Sequence, residues 1–580
     1  MGFLVEKLIN DSSSLPCECQ SSPFINEYHG HVITGDLGIV PDDSLRNLLS
    51  KGPKYREPLT FSCDNAKTSI LNGVESMVSN WSSRVGISKE AFKEWKACVA
   101  QAVDDRISSL KEKKRKSSSI LSRPSSKSCL ADLQSKYVMV PIDKAANNIA
   151  FVCKRYYALV ILKELGLIGS SSSTYTSIDD TPENIIQLHA QELKEQFNIV
   201  VEQDMMTLPD IYWLPKLHKN PVGFRFIIAS KRCTTKKLSK YTSSAFTLFQ
   251  KQIEKYHRVS HFYSGIKTYW IVQNRDPVLE AVKKSEKRKS AKCISSFDFS
   301  TLYTKIPHNK LINVLHDNID FVFKGGTRKK VSVPRSGKAR WVNKKSGSSF
   351  IFTKESIREA VAYLIKNCYF KLGNKLFRQD IGIPMGSDPA PAFANLFLFH
   401  FESKWLNSIK KSDNILARKF GQVYRYIDDL IALNDGKSFE KYFKDIYPEE
   451  LQLNKENEGY SRSTFLDLDI KIANGIFQTK LFDKRNDFGF HITRLPFRDS
   501  NIPCRMFYSS IAAECLRICR STSFAEDAAA SIRSIITRMI NQGAKAHLVK
   551  NCISKTLRRH NINSILGYGD DKFVNKLFHK

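Results

Sequence analysis

Apolar residues recur along this chain at two spacings, and the changes between them mark out its elements. Ile70, Leu71, Val74, Met77 and Val78, then Phe92, Trp95 and Val99, return at helical intervals and predict a helical N-terminal region over about 65 to 110. Tyr137 to Ile142 and Ile149 to Val152 are apolar strands around a polar turn rich in Lys and Asn, Asp143 to Asn148. Thr181 followed by Pro182 signals a helix start, with Ile186, Leu193 and Phe197 facing inward. From Tyr212 to Ile228 cations alternate with aromatics and turn formers, which suits a β-ribbon. Ile294 to Phe297 form an apolar strand that runs into Asp298 and then a Ser/Thr turn, with a helix over Asn309 to Ile319. The Gly382-x-Pro384-x-Gly386 turn leads into a helix starting near Pro389. Glycine, lacking Cβ, would let that backbone approach a base or sugar closely. Beyond lie a helix over 437 to 447 and one alternating strand over Thr464 to Ile472, anchored by Phe465, Leu466, Leu468 and Ile470 and turned back at Asn474-Gly475. The stretch from about 508 to 560 is helical and basic, and its Cys515 and Cys519 are read as core.

The sharpest pattern is Tyr424 to Leu433, where Asp428 and Asp429 sit between strand-forming residues and so at the tip of a hairpin. Adjacent carboxylates repel, and among apolar flanks they call for a cation. A two-metal centre, with ions about 3.5–4 Å apart on the attacking and leaving oxygens of a phosphoryl transfer, needs carboxylates from separate elements. Asp298, also where a strand meets a turn, is the third. A second acidic pair, Tyr568-Gly569-Asp570-Asp571, follows a polar stretch with no strand leading in, and is assigned to a solvated tail.

Charge narrows the partner. The 580 residues carry a formal net charge of +32, which points to a polyanion, and for a soluble chain to nucleic acid. The Ser/Lys/Arg stretch from Lys111 to Ser128 reads as a linker whose basic cluster fits a nuclear-import signal or a phosphate-binding arm. Lys324 to Lys345, with nine Lys/Arg and no acid, reads as a mobile basic excursion along a nucleic-acid backbone. Thirteen scattered cysteines without a C-x-x-C pair indicate a reducing compartment. Cys17 and Cys19 with His29 and His31 have unusual spacing for zinc and are read as thiols near a loop. With no apolar run of membrane length and no signal-peptide core, the protein is expected to be intracellular and soluble, without a membrane partner.

In order, the Asp298 strand, the Gln379-to-Gly386 turn, Tyr426-Ile427-Asp428-Asp429 and the Phe465-to-Ile472 strand resemble motifs of reverse transcriptases. Asp298-Phe299-Ser300-Thr301-Leu302-Tyr303-Thr304-Lys305-Ile306-Pro307-His308, Gly382-Ile383-Pro384-Met385-Gly386, Trp213-Leu214-Pro215-Lys216-Leu217-His218-Lys219 and Asp143-Lys144-Ala145-Ala146-Asn147-Asn148 resemble the Penelope-like retroelement reverse transcriptases, relatives of telomerase. The resemblance implies an α+β right-hand polymerase. Its parts would be an N-terminal region (1–110), a basic linker (111–130), fingers and the start of the palm (131–290), an antiparallel palm (291–480) and a helical thumb with tail (481–580).

It also implies RNA-directed DNA polymerase activity, with an RNA template, a DNA primer or target 3′ end and dNTPs as partners, and a nuclear site of action. Asp298, Asp428 and Asp429 would hold two Mg²⁺ ions, for which Mn²⁺ can substitute. Tyr303 would exclude a ribose 2′-hydroxyl, and Arg225 and Lys216 would clamp the triphosphate. Gln379 and Gly386 would shape the nucleotide side, and Lys144, Lys219, Gly382, Pro384 and Tyr426 the nucleic-acid side. Met385 departs from the Gln common in telomerase relatives. Nothing after the thumb matches a GIY-YIG endonuclease, which implies an endonuclease-lacking member or a truncated copy. The other readings are a catalytically inert RNA-binding protein on the same fold and an RNA-copying RNA polymerase.

Overall fold

A computed structural model describes residues 31–35, 37–58, 63–85, 88–108, 119–169, 174–219, 221–300, 302–324, 330–335, 337–343, 349–383, 386–560 and 577–578. At its centre is a four-stranded antiparallel sheet, in the order Val423–Tyr426, Asp429–Leu433, Ile294–Phe299, Leu453–Lys455. Successive side chains of a strand point to opposite faces, and here both faces are covered. Leu430, Ala432, Phe297 and Phe299 enter a core built with the helices Lys236–Ser264, His308–Phe323, Lys354–Lys366 and Ala390–Ser412. Ile431, Leu433 and Ile294 enter a second core with Val278 and Val282 of the helix Asp276–Arg288 and with Leu468, Ile470 and Phe477. Two-sided burial explains why Leu430 to Leu433 reads as a continuous apolar run.

Three smaller sheets lie upstream in the chain or are completed from it. Tyr137–Ile142 and Ala145–Cys153 form a hairpin extended by Val32–Ile33. Ile211–Lys216 pairs with Gly223–Ile228 as the expected ribbon, and its fully buried Trp213 stacks on Tyr157 at 4.7 Å. Lys375–Gln379 is flanked by Tyr369–Leu372 and Tyr175–Ile178. The predicted helix begins at Pro182, capped by the Thr181 hydroxyl accepting from Asn184 N, and buries Ile185 where Ile186 was expected. The helices Cys504–Ser521, Ala525–Asn541 and Ala546–Arg559 pack around Phe507, Cys515, Cys519, Ile532, Met539 and Ile553, so both cysteines are core. Two distant segments meet here: Lys51 and Tyr55 bond Asp499 (2.7 and 3.1 Å), and Arg56 N and O bond Ser500 Oγ and Asn501 N.

Three expectations are corrected. The linker reading fails from residue 119 onward: a helix starts at Pro124, and Ser126 is fully buried, its hydroxyl donating to Asp42 at 2.7 Å. The described part of Lys324 to Lys345 is no loose excursion, because Lys330–Val333 pairs with Arg340–Val342 and Phe350–Phe352. Val331, Val333 and Phe352 are buried there, and Trp341 stacks on Phe249. The strand over 464 to 472 is two, Arg462–Phe465 and Leu468–Ala473, because Leu466 and Asp467 both take positive φ (47° and 64°) and reverse the chain. Helices Cys63–Val85 and Lys89–Ser108 form as predicted, with Ile70, Met77 and Trp95 exposed. Cys17, Cys19, His29, Lys111 to Lys116, Pro384, Met385 and Tyr568 to Asp571 lie outside the described residues. His31 stacks on Tyr156 at 4.6 Å.

Candidate active site

The strands on either side of the acidic tip pair Val423 with Ala432, Tyr424 with Ile431, Arg425 with Leu430 and Tyr426 with Asp429, leaving Ile427 and Asp428 as a two-residue loop. Ile427 adopts φ 57°, a conformation rare for a β-branched residue. Something must hold it there. Arg425, 0 % exposed, runs under the loop and donates to the Ile427 carbonyl at 3.0 Å, to Asn395 Oδ1 and O (2.9 and 3.1 Å) and to both Glu402 oxygens (2.5 and 3.1 Å). Tyr447 OH completes Glu402 at 2.9 Å. Burial works against the Arg425 charge, but Glu402 beside it raises the guanidinium above its ordinary value.

On the other side of the hairpin, Asp429 stands directly opposite Asp298 in the ladder, and Phe299 N donates to the Asp428 carbonyl at 3.3 Å. The three predicted aspartates therefore share one end of the central sheet. Burial and this crowding together act on two of the carboxyls. Asp298 is pushed up to about 6 by burial, then by Asp428 and Glu456. Asp429 is pushed up to about 7 by burial, then by Asp428, Asp298 and Glu456. Lys219 and Lys144 act in the opposite direction on Asp298, and Lys484 on Asp429. Hard carboxylate oxygens under mutual repulsion are the donor set a divalent cation such as Mg²⁺ takes. Among the described residues, however, no three His, Cys, Asp or Glu side chains stand in metal-holding geometry, so the acids are clustered without being converged.

Tyr303 is partly buried beside them, its phenol raised by burial and then by Asp428 and Tyr426. Lys144, at the turn of the first hairpin (φ 62°), and Lys219, at the turn of the second, face the acids across an open cavity of about 260 Å³. His218, Asp429, Glu456, Asp467 and Lys484 are also part of its lining. Lys216 is half-buried and held below its ordinary value by burial and by Arg225.

Two groups of predicted residues are engaged by the protein itself. Gly382 (φ 95°) and Gly386 (φ 101°) do need to be glycine, but what approaches them is protein. A Cβ would lie 2.2 Å from Tyr303 O and 2.2 Å from Ile228 O respectively. The turn is thereby sewn to the segment after Asp298, with Gly382 N on Ile306 O and Ile383 N on Tyr303 O. Gln379 is 3 % exposed and turns its amide to Ile381 O at 2.9 Å, which leaves it no open face toward a nucleotide. Three neighbours of the acidic loop are missed by the sequence pattern: Arg425, Glu402 and a fourth carboxylate, Glu456. Only Arg425 carries a local signal, as a cation within an apolar strand.

No protein-family model matches this sequence, and no curated protein does. Among solved structures, the telomerase of Candida albicans in complex with a TWJ fragment of telomeric RNA matches over 85 % of this chain and 75 % of its own, with TM-score 0.51 and 11 % identity. Telomerase of Candida tropicalis with a TWJ fragment of telomeric RNA matches over 93 % and 81 %, with TM-score 0.43 and 14 % identity. The BmCPV RNA-dependent RNA polymerase at elongation state gives 58 %, 27 %, 0.32 and 12 %. At such identities the likeness is one of fold, and the first of these scores carries it: the chain is similar in fold to that telomerase structure.

Proposed function

We propose that this chain is an RNA-directed DNA polymerase of the Penelope-like kind, extending a DNA 3′ end on an RNA template with deoxynucleotides. The single observation that supports it most is the ladder register that sets Asp298 against Asp429 with Asp428 in the adjoining loop. Two Mg²⁺ ions bound there would lower the pKa of the primer 3′-hydroxyl and offset charge on the leaving pyrophosphate. Asp298, Asp428 and Asp429 would hold them, with Glu456 adding to the negative field. Arg425 keeps the loop that carries Asp428 in shape. The cations Lys144, Lys216, Lys219 and Arg225 attract and orient the triphosphate, guanidinium matching phosphate with paired hydrogen bonds. Tyr303, whose phenol is raised by burial and then by Asp428, would meet a ribose 2′-hydroxyl and exclude it. In these terms the two upstream hairpins are fingers, the central sheet the palm and the C-terminal helices the thumb.

The test is primer extension on RNA and DNA templates with deoxy- and ribonucleotides. Deoxynucleotide incorporation on RNA that falls at least ~100-fold in Asp428→Ala is the expected result. Tyr303→Ala should admit ribonucleotides. Salt-sensitive RNA binding with no incorporation would mean an inert binding protein. Efficient ribonucleotide use by the unmodified chain would mean an RNA polymerase.

A further inference from the structure

Arg225 is 46 % exposed on the second hairpin, yet one of its terminal nitrogens is fixed: Nη1 lies 3.0 Å from Asp143 Oδ1. Asp143 is 4 % exposed. It opens the two-residue turn between Ile142 and Ala145, and its own N–H donates to Pro215 O at 3.1 Å, so backbone bonding locks it to the neighbouring hairpin. Its second oxygen, Oδ2, is buried and has no hydrogen-bond partner among the described residues. A buried carboxylate with half its acceptor capacity idle is costly. What it does have is a rigid seat and a cation in front of it. Three further cations, Lys144, Lys216 and Lys219, gather about the same point.

We propose that Asp143 is a positioning residue for triphosphate binding: by holding one arm of the Arg225 guanidinium it leaves the remaining N–H donors aimed at the phosphates of an incoming nucleotide. This rests on the role given to Arg225 in the polymerase reading. A guanidinium has five donors in a fixed planar fork, so one carboxylate contact orients the plane without exhausting it. Unheld, the side chain must be ordered by the ligand itself, which weakens binding. Lysine would keep the charge and the ion pair but has no second arm to present.

The test compares Asp143→Asn, which keeps shape and removes charge, with Arg225→Lys, Arg225→Ala and the double variant Asp143→Asn/Arg225→Ala. Two readouts are taken. One is steady-state extension; the other is equilibrium binding of dTTP with Mg²⁺ in the absence of primer. Asp143→Asn and Arg225→Lys should each raise KM for deoxynucleotide about tenfold with kcat altered much less, and weaken dTTP binding in proportion. Primer–template affinity should not move. In the double variant the Asp143 change should add almost nothing to Arg225→Ala. Arg225 is half exposed, so its lysine variant remains informative even if the Asp143 variants fold poorly.

Additive effects, an unchanged KM, or a lower KM in Asp143→Asn overturn the inference; the last is what a merely competing carboxylate would produce. If the unmodified chain extends no primer yet loses dTTP binding non-additively in these variants, the polymerase reading falls and the Asp143 role stands. If extension is robust and the Asp143 variant behaves as the unmodified chain, the reverse holds.

Discussion

Arg425 is the residue on which the acidic loop leans, and its removal has a magnitude that can be worked from its partners. It makes five hydrogen bonds, two of them to Glu402, whose remaining partner is Tyr447 OH. Arg425→Met fills much of the volume but leaves Glu402 as an uncompensated buried carboxylate and strips the donor from Ile427 O. Breaking one side of a buried pair costs ~3–5 kcal/mol, a large share of a typical stability of ~5–15 kcal/mol. The apparent Tm in a thermal melt should drop by roughly 2–5 °C. Replacing both charges, Arg425→Met with Glu402→Met, removes the unpaired ion and should bring stability back to within ~1–2 kcal/mol of the unmodified chain. Extension should not return with it, because Ile427 at φ 57° has lost the bond that fixes its carbonyl. A loop displaced by even ~1 Å costs on the order of 100-fold in rate. A double variant that is both stable and fully active would refute the reasoning, as would a single variant that melts normally.

Other outcomes are open to measurement. Asp429→Asn removes one charge from a crowded acidic cluster, so the metal-free protein should gain ~1–2 kcal/mol and melt higher, while Mg²⁺ should raise the Tm of the unmodified chain more than that of the variant. Gly382→Ala forces a Cβ to 2.2 Å from Tyr303 O at φ 95° and should cost ~2 kcal/mol or more, whereas Gly421→Ala, with open space around it, should be neutral in the same melt. His189 and His257 are buried against Thr234 and Thr268 and pushed down to about 4. Unfolded, they titrate near ~6.5, so between those values the unfolded chain binds more protons. Their contribution is full above pH ~6.5 and is lost as pH falls toward 4; His189→Asn/His257→Gln should flatten the fall in Tm between pH 7 and 5.

Much of this was legible in the sequence because period and turn chemistry agreed. Aromatic and β-branched runs on both sides of Asp428-Asp429, and the run ending at Asp298, could only be strands closing on a turn. What stayed hidden was the pairing itself, which is long-range. Leu453–Lys455 is three residues with one apolar side chain, and becomes a strand because the open edge of Ile294–Phe299 needs a partner. Glu402 sits in an aromatic-rich helix with nothing local to single it out; its meaning comes from Arg425, 23 residues on. Leu466 at positive φ runs against its own propensity, so one strand was expected where there are two. Around Val331 and Trp341 the charge count outweighed a short apolar alternation that in fact decides the structure. The glycines of the 382–386 turn announced a close approach, but not that the visitor would be Tyr303 and Ile228.

The bonds from Tyr55 and Arg56 to Asp499 and Ser500 join positions 444 apart. At a synthesis rate of about 5–20 residues per second, that early segment waits roughly 20–90 s on the ribosome before its partner emerges. The segment Lys51 to Arg56 can therefore reach its final seat only after Asn501 has been made. A nascent-chain series released at successive lengths should show Lys51 to Arg56 open to protease until Asn501 is out, and closed soon after.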